Sequence, residues 1–232
     1  MTMPALWCVV PAAGRGTRVG GDVPKQYLPL AGRPLILHTL ERLAAHPRIA
    51  GLLVILGAGD AHWPGLDRLG GKPVLTATGG AERCDSVLAG LDALPAAVAG
   101  DDFVLVHDAA RPCVRAADID RLVEQAGRGD GGLLGAPLRD TLKRADAHGR
   151  SLRTEPREQR WRAFTPQMFR RAQLAAALRD AARRGAVVSD EAMAMEQAGF
   201  APLLVEGAED NLKVTTAADF ALAEFLLSRT RA

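Results

Sequence analysis

The stretch Leu6-Trp7-Cys8-Val9-Val10-Pro11, followed at once by Ala12-Ala13-Gly14-Arg15-Gly16-Thr17-Arg18, decides the fold class. A short, continuous apolar run is the pattern of a strand buried on both faces. Small residues directly after it let backbone N–H groups approach a ligand with no side chain in the way. In an open parallel sheet, ligands bind at the carboxyl ends of strands, so this junction is the first candidate site. Similar runs recur at Leu52 to Leu56, Val74 to Ala77, Phe103 to Val106, Leu133 to Leu138 and Leu203 to Val205. Between them, Leu35-Ile36, Leu40 and Leu43 repeat at helical spacing. So do Val87-Leu88, Leu91 and Leu94, and Ile119, Leu122-Val123 and Ala126. Strand and helix in alternation predict an α/β architecture of three layers, αβα, around a mostly parallel, Rossmann-like sheet.

Two stretches break the alternation. Gly14 to Gly32 is rich in glycine, holds Pro24 and Pro29 and has no apolar periodicity, so it reads as a long loop of the kind that carries function. Asp140 to Arg162 is polar and arginine-dense; Thr141 to Ala145 and Ser151 to Thr154 flank Ala147-His148-Gly149-Arg150, which predicts a projecting β-hairpin arm over residues 140–162. An isolated two-stranded ribbon is marginal in water, so the arm is expected to pack in a homodimer interface. No linker or repeat interrupts the chain, and residues 1–232 read as a single domain. In the C-terminal third, Thr165-Pro166 resembles an N-cap and first helical position, opening a helix with Phe169, Leu174 and Leu178 on its apolar stripe. Ser189-Asp190-Glu191 begins another helix, and Thr216-x-x-Asp219 a last one carrying Phe220, Leu222, Phe225 and Leu226.

With 48% hydrophobic and 24% charged residues, the 232-residue chain has an ordinary globular composition. Twenty-nine Lys and Arg against 27 Asp and Glu leave a net charge of +2, too small a global field to hold nucleic acid or a membrane surface. Any bound anion must be caught locally. No signal-peptide pattern or membrane-length apolar run is present, and Cys8, Cys84 and Cys113 have no C-x-x-C spacing. A cytoplasmic, reducing location is expected.

The glycine-rich loop is neither of two familiar phosphate binders. A dinucleotide fingerprint needs a third glycine where Val19 stands, and a Walker A loop needs Lys-Ser or Lys-Thr where Asp22 follows Gly21. Its charges, Arg15, Arg18 and Lys25, are the better clue to an anionic ligand. Some apparent motifs are structural. Asp118-Ile119-Asp120 opens an amphipathic helix, where acids suit the dipole. His107 and Asp108 are neighbours on a strand and point to opposite faces, so they form no dyad. Cys113 lacks a base. The arginines at 170, 171, 179, 183 and 184 read as the solvated face of their helix.

Pro11-Ala12-Ala13-Gly14-x-Gly16-x-Arg18 and Pro24-Lys25-Gln26-Tyr27 resemble the signature loop of nucleotidyltransferases that activate a phosphorylated small molecule. Further segments extend the likeness: Asp85-Ser86-Val87-Leu88-Ala89-Gly90-Leu91, Val106-His107-Asp108-Ala109-Ala110-Arg111-Pro112, Pro137-Leu138-Arg139-Asp140-Thr141 and Asp210-Asn211-Leu212-Lys213-Val214-Thr215. Together they are similar to the 2-C-methyl-D-erythritol 4-phosphate cytidylyltransferase family of the non-mevalonate isoprenoid pathway, and span nearly the whole chain. A fused downstream synthase, present in some relatives, is not expected.

The resemblance implies CTP and methylerythritol phosphate as substrates, Mg²⁺ on the triphosphate, and direct attack by the acceptor phosphate on the α-phosphorus. It assigns Arg18 and Lys25 to the transition state, and Arg157 and Lys213 to holding the acceptor. Ala12, Ala13, Gly80 and Ser86 would read cytosine, with Gly14 and Gly16 in the loop and Asp108 and Ala109 near ribose and phosphates. Arg111, Thr141 and Ser189 are further acceptor-binding candidates. Ala81 stands where relatives often carry Asp, and Ser189 where Thr is common. A phosphate monoester is mostly dianionic at neutral pH, so no general base is required. Two other readings stay open: a cytidylyltransferase for a pentitol phosphate such as ribitol phosphate, and a non-catalytic nucleotide-binding regulatory module.

Overall fold

Alternation along each central strand divides the core in two. On β1 (Leu6–Pro11), Cys8 and Val10 enter one apolar cluster and Val9 the other. On β4 (Ile49–Leu56), Leu52 and Val54 join the first cluster, and Leu53 and Ile55 the second. Successive side chains of a strand point to opposite faces, so both faces must be covered. Helices α1 (Leu35–Ala45) and α3 (Ala116–Ala126) cover the first. The second lies under α2 (Arg83–Ala93), α4 (Arg171–Arg183) and α5 (Glu191–Gln197). Burying one such aliphatic side chain is worth about 1.5–3 kcal/mol, so these two clusters are what hold the layers together.

The computed structural model describes residues 5–14 and 23–229. Among them, β2 (Pro29–Leu30) and β3 (Arg33–Pro34) make a small ribbon after a 3₁₀ turn at Lys25–Tyr27, so the expected long loop is partly ordered into local structure. The remaining strands are β5 (Arg68–Leu69), β6 (Lys72–Thr78), β7 (Phe103–Val106), β8 (Gly132–Pro137), β9 (Leu142–Ala145), β10 (Ser151–Glu155), β11 (Trp161–Arg170) and β12 (Leu203–Glu206). Eight strands form one sheet in the order β12-β8-β11-β7-β1-β4-β6-β5. β1 runs parallel to β4 and β7, β4 to β6, and β12 to β8, whereas β11 is antiparallel to β7 and β8. β9 and β10 pair only with each other, as the hairpin arm.

Two expectations are corrected. Thr165-Pro166 opens no helix: the bond is cis and lies inside β11, with Phe169 on the same strand. Proline cannot donate to a ladder, and here it falls in the register shift between Ala163 and Gln167, where an irregularity tolerates it. The helix begins only at Arg171. Consequently Arg170 and Arg171 do not sit on a solvated helix face. Arg170 donates to Asp101 O and covers the Phe103 ring, and Arg171 donates to Leu91 O and Val98 O. Second, β6 and β12 are not buried on both faces, since Leu75, Leu203 and Leu204 are exposed near the margins of the sheet. The last helix, α6 (Ala217–Arg229), carries Phe220, Leu222, Phe225 and Leu226 as expected; it buries Ala223 and Leu227, while Leu222 and Phe225 face outward.

The acids of Asp118-Ile119-Asp120 are structural, as expected. Buried Asp118 pairs with Arg121 and accepts from Ala208 N at 2.9 Å; Asp120 faces Arg48 and His46 at 3.4 Å. The cap of α6 is present too. Asp219 accepts from Thr215 N at 2.8 Å and Thr216 N at 2.7 Å. Asp219→Ala is expected to lower stability by about 1–2 kcal/mol, read as a lower denaturant midpoint at unchanged slope.

Candidate active site

The carboxyl ends of β1 and β7 open into a cavity of about 250 Å³. Its floor is backbone. Ala12 N donates to Ile55 O at 2.8 Å, and Gln26 Nε2 donates to Ala12 O at 2.6 Å, which fixes the turn after β1. Opposite stands the start of α2, where Glu82 N donates to Asp85 Oδ2 at 3.1 Å and buried Ser86 donates its hydroxyl to Glu82 O at 3.1 Å. Ala13 and Gly14 line one side of this cavity, and Gly80 and Ser86 the other.

Glycine is required beside α2. A Cβ on Gly80 would lie 2.4 Å from Asp85 Cβ, and one on Gly79 2.6 Å from Ser86 Oγ. Because Asp85 caps the turn, Gly80→Ala must displace it. Misplacing a binding group by about 1 Å can cost on the order of 10²-fold. Gly80→Ala is therefore expected to raise KM for the ligand of this cavity about tenfold or more, in steady-state assays, and to lower the melting temperature as the cap is displaced.

The charged wall centres on Asp108, which is almost fully buried. Its Oδ1 meets Arg83 at 3.1 Å and its Oδ2 meets Lys213 Nζ at 2.9 Å, with Arg111 Nε at 3.6 Å from Oδ2. Burial alone would raise the Asp108 carboxyl, but Arg83, Lys213 and Arg111 outweigh it and hold the group well below the usual carboxylate range. Arg83 also forks onto fully buried Glu191 of α5, at 2.5 and 3.1 Å. Arg111 donates to Asn211 O at 2.7 Å and lies over the Phe164 ring, and Asn211 Nδ2 donates to Thr165 O at 2.7 Å. Lys25 Nζ donates to Val214 O at 2.6 Å, and Val214 N to Ala110 O at 2.8 Å, which ties the segment carrying Lys213 to both strand ends.

His107 takes no part in this charged wall. Its Nε2 donates to Arg111 O at 3.1 Å, so Nδ1 accepts from Thr165 Oγ1 at 3.0 Å, and Thr165 Oγ1 in turn accepts from Asp108 N at 3.1 Å. Burial pushes the imidazole down to about 4, leaving it neutral at pH 7.

A second cavity of about 180 Å³ adjoins the first, lined by Arg111, Thr165, Gln167, Ser189 and Asp190. The two share three residues: Arg83, Asp108 and Lys213. Ser189 is not the cap of α5; Asp190 is, accepting from Met193 N at 3.0 Å, so the Ser189 side chain is left on the cavity wall.

Of the residues singled out from the sequence, Ala12, Ala13, Gly14, Lys25, Gly80, Ser86, Asp108, Ala109 and Lys213 line the first cavity, and Arg111 and Ser189 the second. Thr141 and Arg157 are not brought there. They line a separate recess at the base of the arm, where Arg157 donates to Arg139 O. Gly16 and Arg18 lie outside the described residues. Sequence reasoning misses Arg83, Glu191, Gln26 and Thr165 as site residues. Locally Glu191 is only a first-turn acid, and Arg83 stands 25 and 108 positions from its partners, beyond any local signal.

Residues 6–229 match the family described as IspD: 2-C-methyl-D-erythritol 4-phosphate cytidylyltransferase. A protein of that name from Xanthomonas euvesicatoria pv. vesicatoria (strain 85-10) is 61% identical over 225 residues, 96% of this chain and 85% of its own. Another, from Stenotrophomonas maltophilia (strain K279a), is 61% identical over 227 residues, 97% of each chain. Among solved structures, the Francisella tularensis enzyme of that name superimposes with a TM-score of 0.81 at 31% identity, covering 95% of this chain and 98% of its own. The Thermus thermophilus enzyme gives 0.77 at 34%, covering 97% and 100%. The chain belongs to the 2-C-methyl-D-erythritol 4-phosphate cytidylyltransferase family and is a nucleotidyltransferase.

Proposed function

We propose that this chain transfers CMP from CTP to 2-C-methyl-D-erythritol 4-phosphate, giving 4-diphosphocytidyl-2-C-methyl-D-erythritol and pyrophosphate, in one in-line displacement. An oxygen of the acceptor phosphate forms a bond to the α-phosphorus, the bond from the α-phosphorus to the bridging oxygen breaks, and pyrophosphate leaves with the electron pair. The acceptor is mostly dianionic at pH 7, so no proton must be removed first. The observation that carries this reading is the pair of adjoining cavities that share the Arg83–Asp108–Lys213 wall. One has the glycine-bounded backbone floor that suits a nucleotide; the other has Arg111 and Ser189, which suit a phosphorylated polyol.

Positioning and fixed positive charge do most of the work in such transfers. Lys25, with Arg18 from the glycine-rich loop, stabilises charge at the α-phosphate. Lys213 and Arg157 hold the acceptor for attack, supported by Arg111, Thr141 and Ser189. Ala12, Ala13, Gly80 and Ser86 read the cytosine; Gly14, Gly16, Asp108 and Ala109 border the ribose and phosphates.

The donor set fits a metal carried in by the triphosphate rather than one held by the protein. Among the described residues no three His, Cys, Asp or Glu cluster, and the carboxylates of the wall, Asp108 and Glu191, are engaged by cations. Mg²⁺ commonly keeps substrate phosphates and waters as ligands, and when bound it neutralises triphosphate charge.

Residues 1–232 act as one domain whose arm, residues 140–162, packs in a homodimer and delivers Arg157 and Thr141 to the partner's site. The arm has little to bury alone: Leu152 is 61% exposed. The enzyme works in the cytoplasm, as its three free cysteines suit. No described helix is long and apolar enough to cross a membrane.

The test is pyrophosphate release from CTP and Mg²⁺ with methylerythritol phosphate, run beside ribitol phosphate. Release with the first supports the reading. Preference for ribitol phosphate would make the chain a pentitol-phosphate enzyme, and no release with either would make it a nucleotide-binding module.

A further inference from the structure

The wall between the two cavities is a chain of alternating charge drawn from four segments: Glu191 on α5, Arg83 on α2, Asp108 after β7, and Lys213 before α6. We infer that Arg83 and Glu191 are positioning residues for Lys213, acting through Asp108. This rests on the reading of the site given above.

Asp108 has two oxygens and three cationic neighbours. Arg83 occupies Oδ1 through both Nε and Nη2, each at 3.1 Å. That leaves Oδ2 to Lys213, at 2.9 Å. The competitor is Arg111, whose buried Nε has no hydrogen-bond partner and stops 3.6 Å short of the same oxygen. An unpaired buried donor costs free energy, so the carboxylate is drawn to rotate toward it. Arg83 opposes that rotation by gripping the other oxygen.

Glu191 is what makes the grip rigid. It has no solvent contact, and both its oxygens accept from Arg83. A buried carboxylate is tolerable only when paired, so Glu191 cannot release the guanidinium cheaply. Arginine is needed because its planar fork serves two carboxylates at once, which a lysine ammonium cannot do in fixed geometry. The result is an ammonium held on the partition between the two cavities, where it serves the acceptor phosphate.

The experiment uses full-length Arg83→Gln, Arg83→Lys, Lys213→Ala, the pair Arg83→Gln with Glu191→Gln, and Arg83→Gln in the Lys213→Ala background. The Gln pair leaves no orphaned buried carboxylate and keeps the measurement usable if Arg83→Gln alone fails to fold. Expected for Arg83→Gln and for the Gln pair is a fall on the order of 10²-fold in kcat/KM for methylerythritol phosphate, with KM for CTP within about threefold of wild type. Arg83→Lys restores little of it. On Lys213→Ala, adding Arg83→Gln costs less than about threefold more, because both changes remove one interaction.

Equal losses on the CTP side, additive losses with Lys213→Ala, full rescue by Arg83→Lys, or wild-type activity in the Gln pair would each overturn the inference. Wild-type protein that releases no pyrophosphate would instead sink the reading of the site itself.

Discussion

Lys213→Ala is expected to lower kcat/KM for methylerythritol phosphate by about 10²–10³ while leaving the fold intact. The size follows from what such a group does: a fixed cation that holds the anionic acceptor in line for attack is worth about that factor in rate. The intact fold follows from its surroundings. Lys213 is 40% exposed at its side chain, and Asp108 keeps Arg83 after the loss. Circular dichroism and thermal melting alongside initial rates check both halves. Loss of activity through unfolding, or retention within about threefold, would count against the assignment.

Asp108→Asn is the opposite case, with a large effect on stability. Its carboxylate is the counter-charge for Lys213 and Arg111 and half of the counter-charge for Arg83. Removing one partner of a buried ion pair costs about 3–5 kcal/mol, because the remaining charges stay desolvated. A denaturant titration at pH 7 should show a loss of that order. The sign with pH is fixed by the direction of the shift. The Asp108 carboxyl is lowered in the folded state, so its contribution is complete above the ordinary unfolded value and lost only as pH falls through the lowered one. Wild type and Asp108→Asn should therefore differ most near neutrality and converge in strong acid.

The central strands were legible because they are buried on both faces: β1, β4 and β7 carry unbroken apolar runs, and a run of that length suits little besides a strand covered on both sides. At the margins of the sheet, the apolar runs of β6 and β12 bury one residue each, Val74 and Val205, so composition overstated them. Thr165-Pro166 misled for a specific reason. The pair imitates a helix start, and Phe169 lies where either a helix stripe or a strand face would accept it. What decides the matter is pairing with β7 and β8, which lies far off in sequence.

The site divides in the same way. The backbone floor was readable, since small residues after a strand have a local meaning, and so was Lys25 beside them. The Glu191–Arg83–Asp108 fork was not. Each of its members is an ordinary charged residue in its own segment, and only the fold, by bringing the starts of α2 and α5 to the segment after β7, joins them. Resemblance supplied Arg157 and Thr141, and within one chain they sit apart from the other candidates, at the base of the arm.

That separation gives the account its most direct test. Arg157→Ala and Lys213→Ala proteins, each inactive alone, are mixed under conditions that exchange subunits, and pyrophosphate release is measured. If the arm delivers Arg157 to its neighbour, every mixed dimer regains one intact site, and activity returns to about a quarter of wild type in an equal mixture. If subunits exchange and activity stays at the level of the separate variants, the cations do not converge across two chains and the account is contradicted.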